Sequence, residues 1–129
     1  MKLSSFLMLN AVLFVPFGLA MLVAPAVLFP LFGIDLDADG ILMARVFGSA
    51  LFNFGLICYL IRNEHEFSIG MKAVLTGNFL FHAFDAGSTF VASLNGVMNT
   101  LGWMFFGLHF VLAIGFLVFL LRKEEKIIE

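Results

Sequence analysis

Residues 69–94 read IGMKAVLTGNFLFHAFDAGSTFVASL. As a helix this run is long enough to cross a bilayer, yet it contains Asn78, His82, Asp85 and Thr89. These four lie at i, i+4, i+7 and i+11, the spacing that stacks side chains on one face of an α-helix. A charge within a membrane segment is costly and is normally turned toward a bundle interior or a wet cavity. The stretch therefore predicts a helix with one polar stripe, around which the other helices pack.

Composition points to lipid as the solvent. Hydrophobic residues make up 62% of the chain and charged residues 12%, against roughly 45–50% and 25% in soluble domains. The mean hydropathy is +1.08. At 129 residues the chain forms one domain, whose interior is too small to hide so much apolar surface from water. A formal net charge of −2 argues against nucleic acid as a partner. The single cysteine, Cys58, leaves no intrachain disulfide, no cysteine-based zinc site and no CxxC redox pair. The eighteen phenylalanines read as packing and lipid contact.

Four apolar runs follow, at about residues 3–24, 41–61, 69–94 and 98–121. They predict an all-α integral membrane protein: a single antiparallel four-helix bundle, up-down-up-down. Pro16 is expected to kink the first span, and Pro25 and Pro30 to end it. Lys2 followed by Gly18-Leu19-Ala20 also fits a cleaved signal peptide. Removal of residues 1–20 thus stays open, although the apolar run continues through Val27 and suits a span better. The segment Asp35-Leu36-Asp37-Ala38-Asp39-Gly40 opens like a calcium loop, but Val46 stands where the bidentate glutamate belongs. The acidic segment is therefore read as a solvated loop in which Asp37 or Asp39 caps the next helix, and no metal site is assigned. His65 reads as a solvated loop residue. Asn95-Gly96 marks a turn, and Trp103 reads as an interfacial anchor.

Lys and Arg near the span ends fall on one side. Lys2, Arg62, Lys72, Arg122, Lys123 and Lys126 flank the termini and the second connection, while the first and third connections have none. This asymmetry predicts an inner-membrane protein with both termini in the cytoplasm.

At 1.5 Å per residue, Arg45 sits about 6 Å and Asp85 about 13 Å from the outer face. A snorkelling arginine spans most of that gap, so an Arg45–Asp85 ion pair is expected. Asn53 and His82 lie about 18 Å deep and His109 about 15 Å, which makes one mid-membrane layer. The candidate ligand-binding residues are Arg45, Asn53, Asn78, His82, Asp85 and His109, with His82 and Asp85 as candidate catalytic groups. Several functions remain open on these residues. His82 and His109 can be axial ligands to a b-type haem. The polar layer can line a pocket for a lipid, quinone or sterol-like molecule, with His82 and Asp85 as an acid/base pair for an isomerase-type proton shift. The same groups can be interhelical hydrogen bonds only. The favoured reading is a non-enzymatic scaffold or accessory protein holding an apolar ligand. Beyond the lipid bilayer, a membrane-protein partner or a second copy is expected to contact it.

Several short motifs also resemble a known group. Ala24-Pro25, Leu31-Phe32-Gly33, the acidic connection, Ala44-Arg45-Val46-Phe47-Gly48-Ser49-Ala50, Gly55-Leu56 and Arg62 are similar to the small bacterial four-span membrane proteins called DoxX-like. Gly102-Trp103 before a Leu/Phe run is similar too. Arg45 and Gly48 match best. The resemblance implies an integral four-helix bundle and, in some cases, association with partner oxidoreductases.

Overall fold

The computed structural model describes residues 1–64 and 67–125, the last three by their backbone alone. His65, Lys126 and the side chain of Lys123, used above for the loop and for the charge count, lie outside the described residues. Among those described the fold is all-α, with no strand. Four long helices dominate: α1 Leu3–Val23, α3 Ala38–Ile61, α4 Ile69–Leu94 and α5 Gly102–Glu125. A short α2, Pro25–Leu28, runs into a 3-10 turn, Phe29–Phe32. Three helices are long and apolar enough to cross a membrane: Leu3–Val23, Ala38–Ile61 and Gly102–Arg122. Ile69–Leu94 has the length, but its polar stripe lowers its apolar content.

Local chemistry sets the boundaries. α1 runs through Pro16 and stops at Ala24, just before Pro25. Pro25 does not simply terminate structure; it takes the first position of α2, where its missing N–H costs nothing. The turn that follows closes at Gly33, whose φ of +78° is one a side chain would resist. Asp37 caps α3 by accepting from Gly40 N–H at 2.8 Å, as expected of the acidic loop. Ser68 caps α4 by accepting from Met71 N–H at 3.2 Å. Asn95-Gly96 forms the turn after α4, with Gly96 at φ +69°. The last helix starts at Gly102 rather than near 98, because Asn99 is engaged elsewhere. Its backbone N–H and its side-chain amide donate to Phe32 and Leu31 carbonyls, both at 2.8 Å, tying the first and third connections together.

The most extensive contacts join α1 to α3 and α4 to α5. Along α1 and α3, Asn10 meets Cys58, Gly18 meets Phe52 and Met21 meets Gly48, so the two helices run in opposite directions. His82 meets His109 and Phe90 meets Trp103, which gives α4 and α5 the same relation. Glycine makes the first contact possible. A Cβ on Gly48 would lie 2.8 Å from both the Gly18 carbonyl oxygen and Leu22 N, and one on Gly18 would lie 2.5 Å from Phe52 N. Backbone cannot yield as a side chain can, so these positions admit only glycine at this separation. The core between the helices is built from Phe6, Leu7 and Phe14 of α1, Leu51 of α3, Leu75 of α4 and Phe116 of α5. Phe6 and Phe116 meet edge to face at 4.7 Å between centroids.

Candidate functional site

All four long helices contribute to a buried polar chain. Asn78 and His82 are one turn apart on α4, and both are buried. Asn10 reaches them from α1, Cys58 from α3 and His109 from α5. Asn78 donates its side-chain amide to the Val74 carbonyl at 2.9 Å. Asn10 donates to Asn78 Oδ1 at 3.4 Å, and Cys58 Sγ lies 3.6 Å from the same oxygen. Asn10 Oδ1 is 3.0 Å from His82 Nε2. His82 Nδ1 is 3.1 Å from His109 Nδ1. His109 Nδ1 also lies 3.7 Å from Asp85 Oδ2.

The direction of this chain follows from its anchor. A backbone carbonyl can only accept, so Asn78 turns its NH2 to Val74 and its oxygen to Asn10. Asn10 must then present its NH2 to Asn78 and its oxygen to His82. An amide oxygen accepts, so neutral His82 has its proton on Nε2 and a lone pair on Nδ1. Neutral His109 must therefore hold its proton on Nδ1, facing His82. Hydrogen-bond logic thus assigns opposite tautomers to the two imidazoles. It leaves His109 Nε2 as an unprotonated acceptor.

Next to this chain lies a cavity of about 330 Å³, at the lower end of the roughly 300–1,000 Å³ found for ligand pockets. Its walls are apolar and rich in phenylalanine: Phe14, Phe17, Phe29, Phe32, Phe47 and Phe105, with Leu51, Met98 and Leu108 among the others. Asp85, Thr89 and His109 are its polar lining residues. The 3-10 turn and Met98 contribute, so the cavity occupies the half of the molecule next to the first and third connections. Phe32, Phe105 and Phe17 form an aromatic cluster there, with Phe32 and Phe105 edge to face at 4.7 Å.

The expected stripe of α4 is present and splits by role. Asn78 and His82 lie in the polar chain, while Asp85 and Thr89 face the cavity. His109 joins the two. Arg45 and Asn53 of α3, expected to face the same interior, do not. Arg45 and Asn53 are exposed, and Asn53 donates back to Ser49 O at 3.0 Å on its own helix. The expected Arg45–Asp85 ion pair is absent, and Asn53 does not join the layer. The reason is rotation of the helix. Ala44, Gly48, Leu51, Gly55 and Cys58 take the buried face because glycine permits the approach of α1, which turns Arg45 outward. Asn10 occupies the place expected for Asn53. It was legible only as the one amide in a long apolar run. Cys58 is buried, and it also lies within hydrogen-bonding distance of Asn10 and Asn78.

The two histidines do not fit a bis-histidine haem. Two axial nitrogens need about 4 Å between them, with a macrocycle in the gap. Here the Nδ1 atoms are 3.1 Å apart and joined to each other, and Asn10 occupies His82 Nε2. Among the described residues, no group of three or more His, Cys, Asp or Glu side chains is arranged to hold a metal ion. No protein-family model, curated protein or solved structure matches this chain.

Proposed function

We propose that this chain is a small four-span, antiparallel helical bundle of the inner membrane, with both termini in the cytoplasm. In this reading it is a scaffold or accessory protein that holds a lipid, quinone or sterol-like molecule in the cavity above Asp85. The membrane reading draws support from the exposed surface. Val12, Leu60, Phe84, Met104 and Val111 are each more than half exposed, and such belts recur on every long helix; in water they would drive aggregation. α4 is included as a span because a bilayer meets only the outer face of a helix. Asn78 and His82 are buried, whereas Leu80, Phe84 and Val91 face outward. Kinship with DoxX-like proteins, and with it a partner oxidoreductase, belongs to the same proposal and rests on motifs such as Ala44-Arg45-Val46-Phe47-Gly48-Ser49-Ala50 and Gly102-Trp103; a membrane-protein partner or a second copy is proposed alongside it.

The single observation behind the ligand reading is an apolar cavity with only three polar lining residues. Few convergent polar groups in an apolar shell orient one end of an amphiphile. Solvent extraction of the purified protein and mass spectrometry is expected to recover a stoichiometric apolar molecule. Leu51→Trp, which fills the cavity, is expected to abolish its recovery. Equal recovery from parent and variant would remove the ligand from the cavity. Reporter fusions at either end are expected to be active only in the cytoplasm.

A second reading, acid/base catalysis, is favoured by the 3.7 Å approach of His109 to Asp85. A carboxylate and an imidazole at one cavity wall can remove and return a proton on a bound molecule. Solvent deuterium would then enter the recovered molecule in the parent but not in Asp85→Asn.

A further inference from the structure

We infer that the cavity selects a lipophilic organic cation: a protonated amine with an apolar body, its nitrogen at Asp85 and its hydrocarbon among the phenylalanines. The inference rests on the cavity being a ligand site. It concerns which head group that site accepts.

The polar residues at the cavity wall have few donors to spare. Thr89 Oγ1–H donates to the Asp85 carbonyl at 2.7 Å, within reach also of the Ala86 carbonyl at 3.2 Å. The Nδ1–H of His109 is committed to His82 at 3.1 Å. What these residues keep for a ligand is the Thr89 oxygen lone pairs, the His109 Nε2 lone pair and the Asp85 carboxylate. With Asp85 ionised, all are acceptors, so the head group must donate. A carboxylate or phosphate head would bring acceptors to acceptors and negative charge to negative charge.

Charge favours the same head group. Asp85 is 25% exposed, and its contact with His109 Nδ1 is long at 3.7 Å. Arg45, the only lysine or arginine among the described residues of this half of the molecule, is exposed on α3 and is not among the cavity-lining residues. A carboxylate in an apolar surround is stabilised by a cation close at hand. A neutral alcohol would satisfy the acceptors and leave that charge unpaired; an ammonium satisfies both.

Two further features act in the same direction. The aromatic walls offer π-faces to a cation, and Phe17, Phe32 and Phe105 are clustered together. The connection beside the cavity contains exposed Asp35, Asp37 and Asp39 and no lysine or arginine, which raises the local concentration of cations. Ile34, the neighbour of Asp35, lines the cavity itself.

The test compares 4-phenylbutylamine with 4-phenylbutan-1-ol, which differ only in the head group. Their size of eleven heavy atoms suits the cavity, taking about 30 Å³ per heavy atom by analogy with water. Equilibrium dialysis is run against the protein in nanodiscs of zwitterionic lipid, with empty nanodiscs as the blank. The amine is expected to bind at least about tenfold more tightly than the alcohol. Asp85→Asn is expected to erase that preference while leaving the alcohol bound. Phe105→Leu, which keeps an apolar wall but removes a π-face, is expected to weaken the amine several-fold and the alcohol little; it serves also if Asp85→Asn fails to fold. Equal binding of the two probes, or an amine preference that survives both substitutions, overturns the inference and leaves the cavity as a ligand site. Binding of neither above the blank overturns both.

Discussion

Replacing Asn10 with leucine tests whether the buried chain is a directional network or a set of incidental contacts. The two side chains share a branched skeleton of four heavy atoms, but leucine is bulkier and Asn10 is wholly buried. Overpacking therefore adds to the loss, and a double variant is needed to isolate the hydrogen bond. The substitution removes the acceptor at 3.0 Å from His82 Nε2 and the donor at 3.4 Å from Asn78 Oδ1. Asn78 Oδ1 keeps Cys58 as a neighbour at 3.6 Å, so it is only partly orphaned. His82 is wholly buried and its Nε2–H has no other partner among the described residues. An orphaned buried donor costs about 1–3 kcal/mol, whereas hydrogen bonds between membrane helices average only about 0.6 kcal/mol. The larger figure applies, since it is the unpaired group that dominates. Asn10→Leu is therefore expected to cost about 1–3 kcal/mol, read by SDS titration in mixed micelles with Trp103 fluorescence as the probe. The double variant Asn10→Leu/His82→Phe removes both partners, so it should recover part of that loss relative to the sum of the single variants. A cost for Asn10→Leu below about 0.5 kcal/mol, the range of ordinary surface changes, together with additive single and double variants, would refute the network.

Nitrogen-15 spectra of histidine-labelled protein are expected to show His82 protonated at Nε2 and His109 at Nδ1; two identical tautomers would contradict the chain direction. Gly48→Ala places a Cβ against α1 backbone at 2.8 Å and is expected to destabilise by roughly 1–3 kcal/mol. Gly107→Ala meets nothing within 4 Å and is expected to be neutral or to stabilise by up to about 1 kcal/mol. Arg45→Gln should change stability by less than about 0.5 kcal/mol, where an Arg45–Asp85 ion pair would have made the loss several times larger. Cys58, wholly buried, is expected to resist alkylation in the folded protein and to react fully once SDS unfolds it.

The residues of α4 show how far periodicity reaches. Asn78, His82, Asp85 and Thr89 share a face because the α-helix repeats every 3.6 residues, and that relation needs no partner helix. Helix caps and turns are equally local: Asp37, Ser68 and Asn95-Gly96 act on backbone groups within a few residues of themselves. Arg45, Ser49 and Asn53 share a face on α3 by the same rule, but Arg45 and Asn53 point outward for a reason outside the helix. A stripe states which side chains travel together, not which way they point. Backbone contact at Gly18 and Gly48 decided the rotation of α3, and Arg45 turned outward with it.

What the order of residues determined alone was therefore what is set within one helix turn or by bulk composition: the long helical segments, the Asp37 cap, the Asn95-Gly96 turn, an apolar exterior and one polar stripe. Tertiary structure decided what requires two helices at once. It brought Asn10 between Asn78 and His82, joined the two imidazoles, excluded Arg45 and left a cavity beside Asp85. Local backbone geometry is a property of neighbours in the chain, whereas the rotation and depth of each helix are chosen by the fit of surfaces distant in sequence.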